Sequence, residues 1–121
     1  MGIWVVETTG QFDRDQKYYS KKHPDELTAV LDNLDTYLML LNACGNPLQA
    51  TAGFIHNEPD GMKAIDQKGS KSRNKLQQTR LYTYAHQEKH ILFLLAIGGK
   101  TGQSEDIQKC REFVQLIRKG G

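Results

Sequence analysis

Apolar and polar positions along the 121-residue chain alternate with three different periods, and each period predicts an element. Ile3–Val6 is a short apolar run that reads as a strand. Thr8 and Gln11 are spaced as a capping box, so a helix is expected from near residue 10 to about Lys22, with Phe12, Tyr18 and Tyr19 as its apolar members. Pro24 suits the first turn of a second helix, and Asp25 and Glu26 beside it favour the positive end of the dipole. Leu27, Val30, Leu31, Leu34, Tyr37, Leu38 and Leu41 then recur at the 3, 4, 3, 4 spacing of one buried helical face, until Gly45-Asn46-Pro47 stops the helix. Two helices so closely joined should pack as an antiparallel hairpin.

The pattern changes after residue 50. Gly53–His56 and Met62–Asp66 read as short strands around the turn residues Asn57-Glu58-Pro59-Asp60-Gly61. Gly69–Lys75 is a polar loop. Leu76–Ala85 and Ile91–Ile97 are the clearest strands, with Gln87-Glu88-Lys89 in their hairpin turn. Residues 98–103 form a glycine-rich exit, and Ser104 is expected to cap a last helix striped by Ile107, Cys110, Val114 and Ile117. Helices followed by strands predict a single α+β domain over residues 1–121: an N-terminal strand and helical hairpin packed on a small antiparallel sheet of about four strands, with a C-terminal helix. The helices would cover one sheet face through Leu81, Ile91, Phe93 and Leu95 or their alternates. The opposite face is expected to be free, polar and basic.

Charge sharpens that expectation. Residues 1–61 hold nine acids against four bases, whereas residues 62–121 hold twelve bases against five acids, so a formal net charge of +2 conceals a split of −5 and +7. Between residues 62 and 80, Lys63, Lys68, Lys71, Arg73, Lys75 and Arg80 face only Asp66. Arg80, Tyr82 and Tyr84 alternate along the next strand and should share one face. Cations hold phosphates and aromatic rings stack on unpaired bases, so this half predicts an RNA-binding surface, with Lys68, Lys71, Arg73, Lys75 and Tyr84 as contacts.

Composition removes several alternatives. Hydrophobic content of 38% with 25% charged residues fits a small globule. The apolar runs are too short to span a bilayer, the N-terminus lacks a signal-peptide pattern, and Val6 spoils a myristoylation motif, so a cytoplasmic protein is expected. Cys44 and Cys110 should then be reduced and inert. No nucleotide-binding loop, paired-cysteine zinc motif or cofactor fingerprint is present. His86 and His90 lie four apart across a turn without a third ligand, so no metal site is expected.

The chemistry open to such a chain is metal-free cleavage of RNA by its own 2′-hydroxyl. That reaction needs a base, a cation for the pentavalent phosphorane and an acid for the leaving 5′-oxygen. Arg80 suits the phosphate, Lys100 could approach it from the strand exit, His56 is a candidate proton carrier and Tyr82 a candidate stacker or donor.

The residues Leu76-Gln77-Gln78-Thr79-Arg80-Leu81-Tyr82-Thr83-Tyr84, Ile91–Ile97, Gly99-Lys100-Thr101-Gly102-Gln103 and Asp106-Ile107 resemble toxins of the RelE/HigB/ParE superfamily. Gly53-Phe54-Ile55-His56 and Ala64-Ile65-Asp66-Gln67 favour a HigB-like branch. The resemblance covers nearly the whole chain. It implies a RelE-like fold and a type II toxin, most often a ribosome-dependent mRNA endoribonuclease without cofactor. A cognate antitoxin, commonly a helix-turn-helix DNA-binding protein, would be its partner, beside the ribosome and mRNA. Arg80 matches the family's phosphate-binding strand arginine and Lys100 its basic strand exit. Ile107 stands near the position of the family's tyrosine and Thr101 at that of a second arginine, so the leaving-group acid has no match. A ParE-like gyrase inhibitor, acting by protein contact, and a non-toxic RNA-binding domain are the two alternatives.

Overall fold

A computed structural model describes residues 3–69 and 75–120. The order is β1 (Val5–Thr8), α1 (Gly10–Lys22), α2 (Pro24–Cys44), β2 (Ile55–Asn57), a 3-10 turn (Pro59–Gly61), β3 (Met62–Asp66), β4 (Thr79–His86), β5 (Ile91–Gly99) and α3 (Gln103–Lys119). Five strands form one mixed sheet in the order β1-β5-β4-β3-β2. The expected antiparallel set of four is present, and β1 joins it by pairing parallel to β5, with Val5 opposite Ile91.

α1 begins where expected, but its cap is Thr9 rather than Thr8: the Thr9 hydroxyl accepts from Phe12 N–H at 3.0 Å and donates to the Leu95 carbonyl at 2.7 Å. A single side chain thus starts the helix and ties it to β5. α2 closes through Gly45 in the left-handed region (φ 68°), as the Gly-Asn-Pro stop predicts. Its predicted stripe is the core: Leu27, Val30, Leu34, Tyr37 and Leu41 pack with Phe12, Trp4, Ile65, Leu81, Leu92, Leu94 and Ile97. Burying each such side chain contributes about 1.5–3 kcal/mol.

The second sheet face is not free. α3 lies across it, and Cys110 and Val114 pack with Met62, Ala64, Tyr82, Leu95 and Ala96, with Tyr84 and Phe93 at the margin. Arg80, Tyr82 and Tyr84 do share a face, but a helix roofs it. A β-bulge explains how β5 serves both layers. Tyr82 pairs with Ala96 and Thr83 with Leu94, which leaves Leu95 as the extra residue. Phe93 and Leu95 face α3 before the bulge; Ala96 faces it afterwards, and Ile97 returns to the hairpin side. The helix cap differs as well: α3 starts after Gly102 (φ 90°), with Ser104 inside its first turn. Gly98 lets α3 approach β5, because a Cβ there would run into the Asp106 carboxylate unless that side chain shifted.

Candidate functional site

The register carries the predicted residues onto the α3 side of the sheet. His56 pairs with Ala64, Ala64 with Tyr82, and Asp66 with Arg80. His56, Asp66, Arg80 and Tyr82 therefore share one face at the end where β2 and β3 leave the cover of α3. His56 Nε2 lies 2.5 Å from Asp66 Oδ2, and the His56 side chain is 28% exposed over an Asp66 carboxylate that is 3% exposed. Asp66 is itself fixed: Oδ1 accepts from Lys68 N–H at 2.7 Å, and the Asp66 and Lys68 carbonyls both accept from Asn33 of α2. With the imidazole neutral, Nε2 donates to Asp66 and Nδ1 keeps its lone pair for an incoming proton.

Arg80 stands across from Asp66 and pairs with Glu58 at 3.3 Å, in a partly buried pair. One guanidinium nitrogen holds Glu58, and among the described residues the buried Arg80 Nε has no hydrogen-bond partner. Tyr82 is fully buried beneath α3, so stacking on a base is not open to it. Among the described residues its hydroxyl has no hydrogen-bond partner. Burial, then the Asp106 carboxylate, push its pKa up and keep the phenol protonated.

Of the other predicted contacts, Lys68 is largely exposed and 3.7 Å from Asp66. Tyr84 lies under Arg118, whose Nε donates to its hydroxyl at 3.3 Å and whose guanidinium sits 5.6 Å from the ring centroid. Lys71 and Arg73 lie outside the described residues. Lys63, part of the same basic run, is buried: its ammonium donates to the Pro47 and Ala50 carbonyls and pins the loop after α2.

Lys75 and Lys100 come together elsewhere. They line a cleft of about 630 Å³ on the hairpin side, where Thr79 pairs with Gly99 at the sheet's end. The opposite wall is aromatic. Tyr18, Tyr19 and His23 stand at the corner where α1 hands over to α2, with ring centroids 5.3–6.0 Å apart. The sequence places Tyr18 and Tyr19 among the apolar members of α1 and gives His23 no role. The available signal was the clustering itself: Tyr18, Tyr19 and His23 fall close together at the end of one helix and the start of the next.

Cys110 is buried, and burial followed by Asp106 pushes its thiol up to about 12, in line with an inert residue. Cys44 is half-buried. His86 is buried and accepts from Lys89 N–H at 3.3 Å, while His90 stacks on Trp4 at 4.8 Å. Among the described residues, no three His, Cys, Asp or Glu side chains converge as a metal ligand set, and no helix is long and apolar enough to cross a membrane.

No protein-family model matches the sequence, and no curated protein matches it. Among solved structures, it is similar to a metal-bound toxin from Helicobacter pylori, with a TM-score of 0.50 and 18% identity over 83% of this chain and 98% of that one. The likeness is one of fold.

Proposed function

We propose that this chain is the toxin of a toxin–antitoxin pair and cleaves translated mRNA. The observation that carries the reading is the His56–Asp66 pair set on the same sheet face as Arg80, with Asp66 directly across from Arg80. In the proposed step, His56 Nδ1 takes the proton of the ribose 2′-hydroxyl. The 2′-oxygen attacks phosphorus, the bond to the 5′-oxygen breaks, and a 2′,3′-cyclic phosphate forms. Arg80 holds the phosphorane oxygens through its fork. The departing 5′-oxygen takes its proton from solvent or a ribosomal group. The resemblance to RelE/HigB-like toxins supports the reading, and so does the toxin with a similar fold.

One observation favours gyrase inhibition instead. Arg80 is held by Glu58, as expected of a structural ion pair. Incubating the purified chain with translating ribosomes and mapping new mRNA 5′ ends decides between them. Cleavage that disappears in His56→Gln supports the ribonuclease. Intact mRNA alongside arrested gyrase supercoiling overturns it.

An antitoxin would act at the β2 side. The sheet face is roofed by α3, so an added strand would need one of the two outer edges, β1 or β2, and β2, a three-residue strand, is the one beside the proposed site. An added strand there would cover His56. Amide exchange in the complex should slow at residues 55–57; slowing confined to α1 and α2 would place the antitoxin elsewhere.

A further inference from the structure

The cleft at the α1–α2 corner has no role in the chemistry assigned to His56 and Arg80, and it lies on the other side of the sheet. Its two cations differ from those of the proposed site: among the described residues, neither Lys75 nor Lys100 is paired with a carboxylate. Glu26, which stands behind the wall, is 9% exposed and accepts from Gln77 N–H at 2.9 Å, so its charge is spent on the backbone. Tyr19 is fixed between α1 and the strand end, with its hydroxyl 3.8 Å from where a Cβ of Gly99 would stand. Tyr18 is 54% exposed and set at 72° to the Tyr19 ring. A ring exposed to this extent is open to a ligand.

We propose that this cleft binds a single-stranded stretch of RNA outside the scissile nucleotide, with one base stacked on Tyr18 and flanking phosphates held by Lys75 and Lys100. The proposal rests on the RNA reading above and adds a site to it. The volume, about 630 Å³, has room for a nucleotide, and the chemistry fits one: rings supply a sequence-tolerant stacking surface, and unpaired ammonium groups supply counter-charge. An acidic peptide would use the cations but would have no use for the aromatic corner.

The test uses a short fluorescein-labelled single-stranded oligonucleotide with 2′-O-methyl sugars, which lacks the attacking hydroxyl, and reads anisotropy across several salt concentrations. Tyr18→Ala should weaken binding about tenfold with an unchanged salt slope, and Tyr18→Trp should restore it. Replacing Lys75 and Lys100 together by Ala should lower the slope by about 0.7 per contact. Inorganic polyphosphate, which has no bases, should bind Tyr18→Ala as well as the native chain. Binding of the oligonucleotide that ignores Tyr18→Ala overturns the cleft while leaving the RNA reading intact. Native protein that binds no RNA overturns both. An acidic peptide that occupies the cleft more tightly than the oligonucleotide makes it a protein-docking surface and overturns the proposal. Native protein that binds through Tyr18 without cutting unmodified RNA supports the cleft and removes only the catalytic assignment.

Discussion

The two ends of basic sequence meet opposite fates in this fold. On the α3 side, cations are set against carboxylates: Arg80 against Glu58, Lys68 against Asp66, Arg111 against Asp60. On the hairpin side, Lys75 and Lys100 border an open cleft beside three aromatic rings. The first arrangement positions groups, since a paired guanidinium or an oriented imidazole has one geometry. The second presents charge and ring faces to whatever arrives. A cation count taken along the sequence cannot separate these two uses, because the carboxylates that spend the charge come from distant positions.

The contrast breaks most readily at Arg80. Arg80→Ala should lower RNA cleavage about a hundredfold by removing phosphorane contacts. It should also destabilise the fold by about 1–3 kcal/mol, since Glu58 loses its partner in a partly buried site. Arg80→Lys separates the two effects: it keeps the charge beside Glu58 but loses the fork, so urea midpoints should recover while cleavage does not. An Arg80→Lys chain that cuts at the native rate would reduce Arg80 to a structural residue.

Asp66→Asn should rank next. The amide keeps an acceptor for Lys68 N–H but cannot hold His56 in one tautomer, so cleavage should fall about tenfold, less than the loss of roughly a hundredfold or more expected on removing a general base outright, because His56 itself remains. The urea midpoint is the companion readout: a positioning Asp66 predicts lost cleavage at a nearly native midpoint, whereas a merely structural Asp66 predicts that cleavage and midpoint fall together.

The smallest effect sharpens the comparison from a third position. Burial, then the nearby Asp15 carboxylate, raise the Asp106 pKa. The folded state therefore holds this proton more tightly than the unfolded chain does. Between the ordinary carboxylate value and the raised one, stability should fall as pH rises and return as pH drops. Asp106→Asn should remove that slope and be slightly more stable than the native chain at neutral pH. Because the group is partly exposed, solvent screening keeps the gain small. Parallel urea curves at neutral and mildly acidic pH, identical for both proteins, would show that the carboxylates do not oppose one another.

Much of this was legible in the chain. The α2 stripe, the capping of α1 near residue 10 and the α3 stripe all rest on local periods, and local periods survive folding. What escaped was set by distant partners. The parallel pairing of β1 with β5 leaves no mark within either segment. The bulge at Leu95 reverses the alternation of β5 half-way, so no single parity describes the strand. The α3 stripe was visible, but the surface it covers was not, and for that reason Tyr82 was expected on an open face. At the candidate site, Arg80 and His56 were singled out by side-chain chemistry, while the contacts of Asp66 and Glu58 with them were not foreseen. Those contacts come from register, which only the assembled sheet supplies.

The pairing of β1 with β5 also sets a clock. Val5 finds its partner at Ile91, 86 residues later. At about 5–20 residues per second, a ribosome needs roughly 4–17 s to travel that distance. The sheet cannot close before then, and contacts so far apart in sequence form slowly even afterwards. Each new molecule thus passes through an interval in which its N-terminal strand and helices exist but Arg80 has no completed sheet to stand on. Under the proposed function, an antitoxin present during that interval would meet the chain before the cleavage site is assembled.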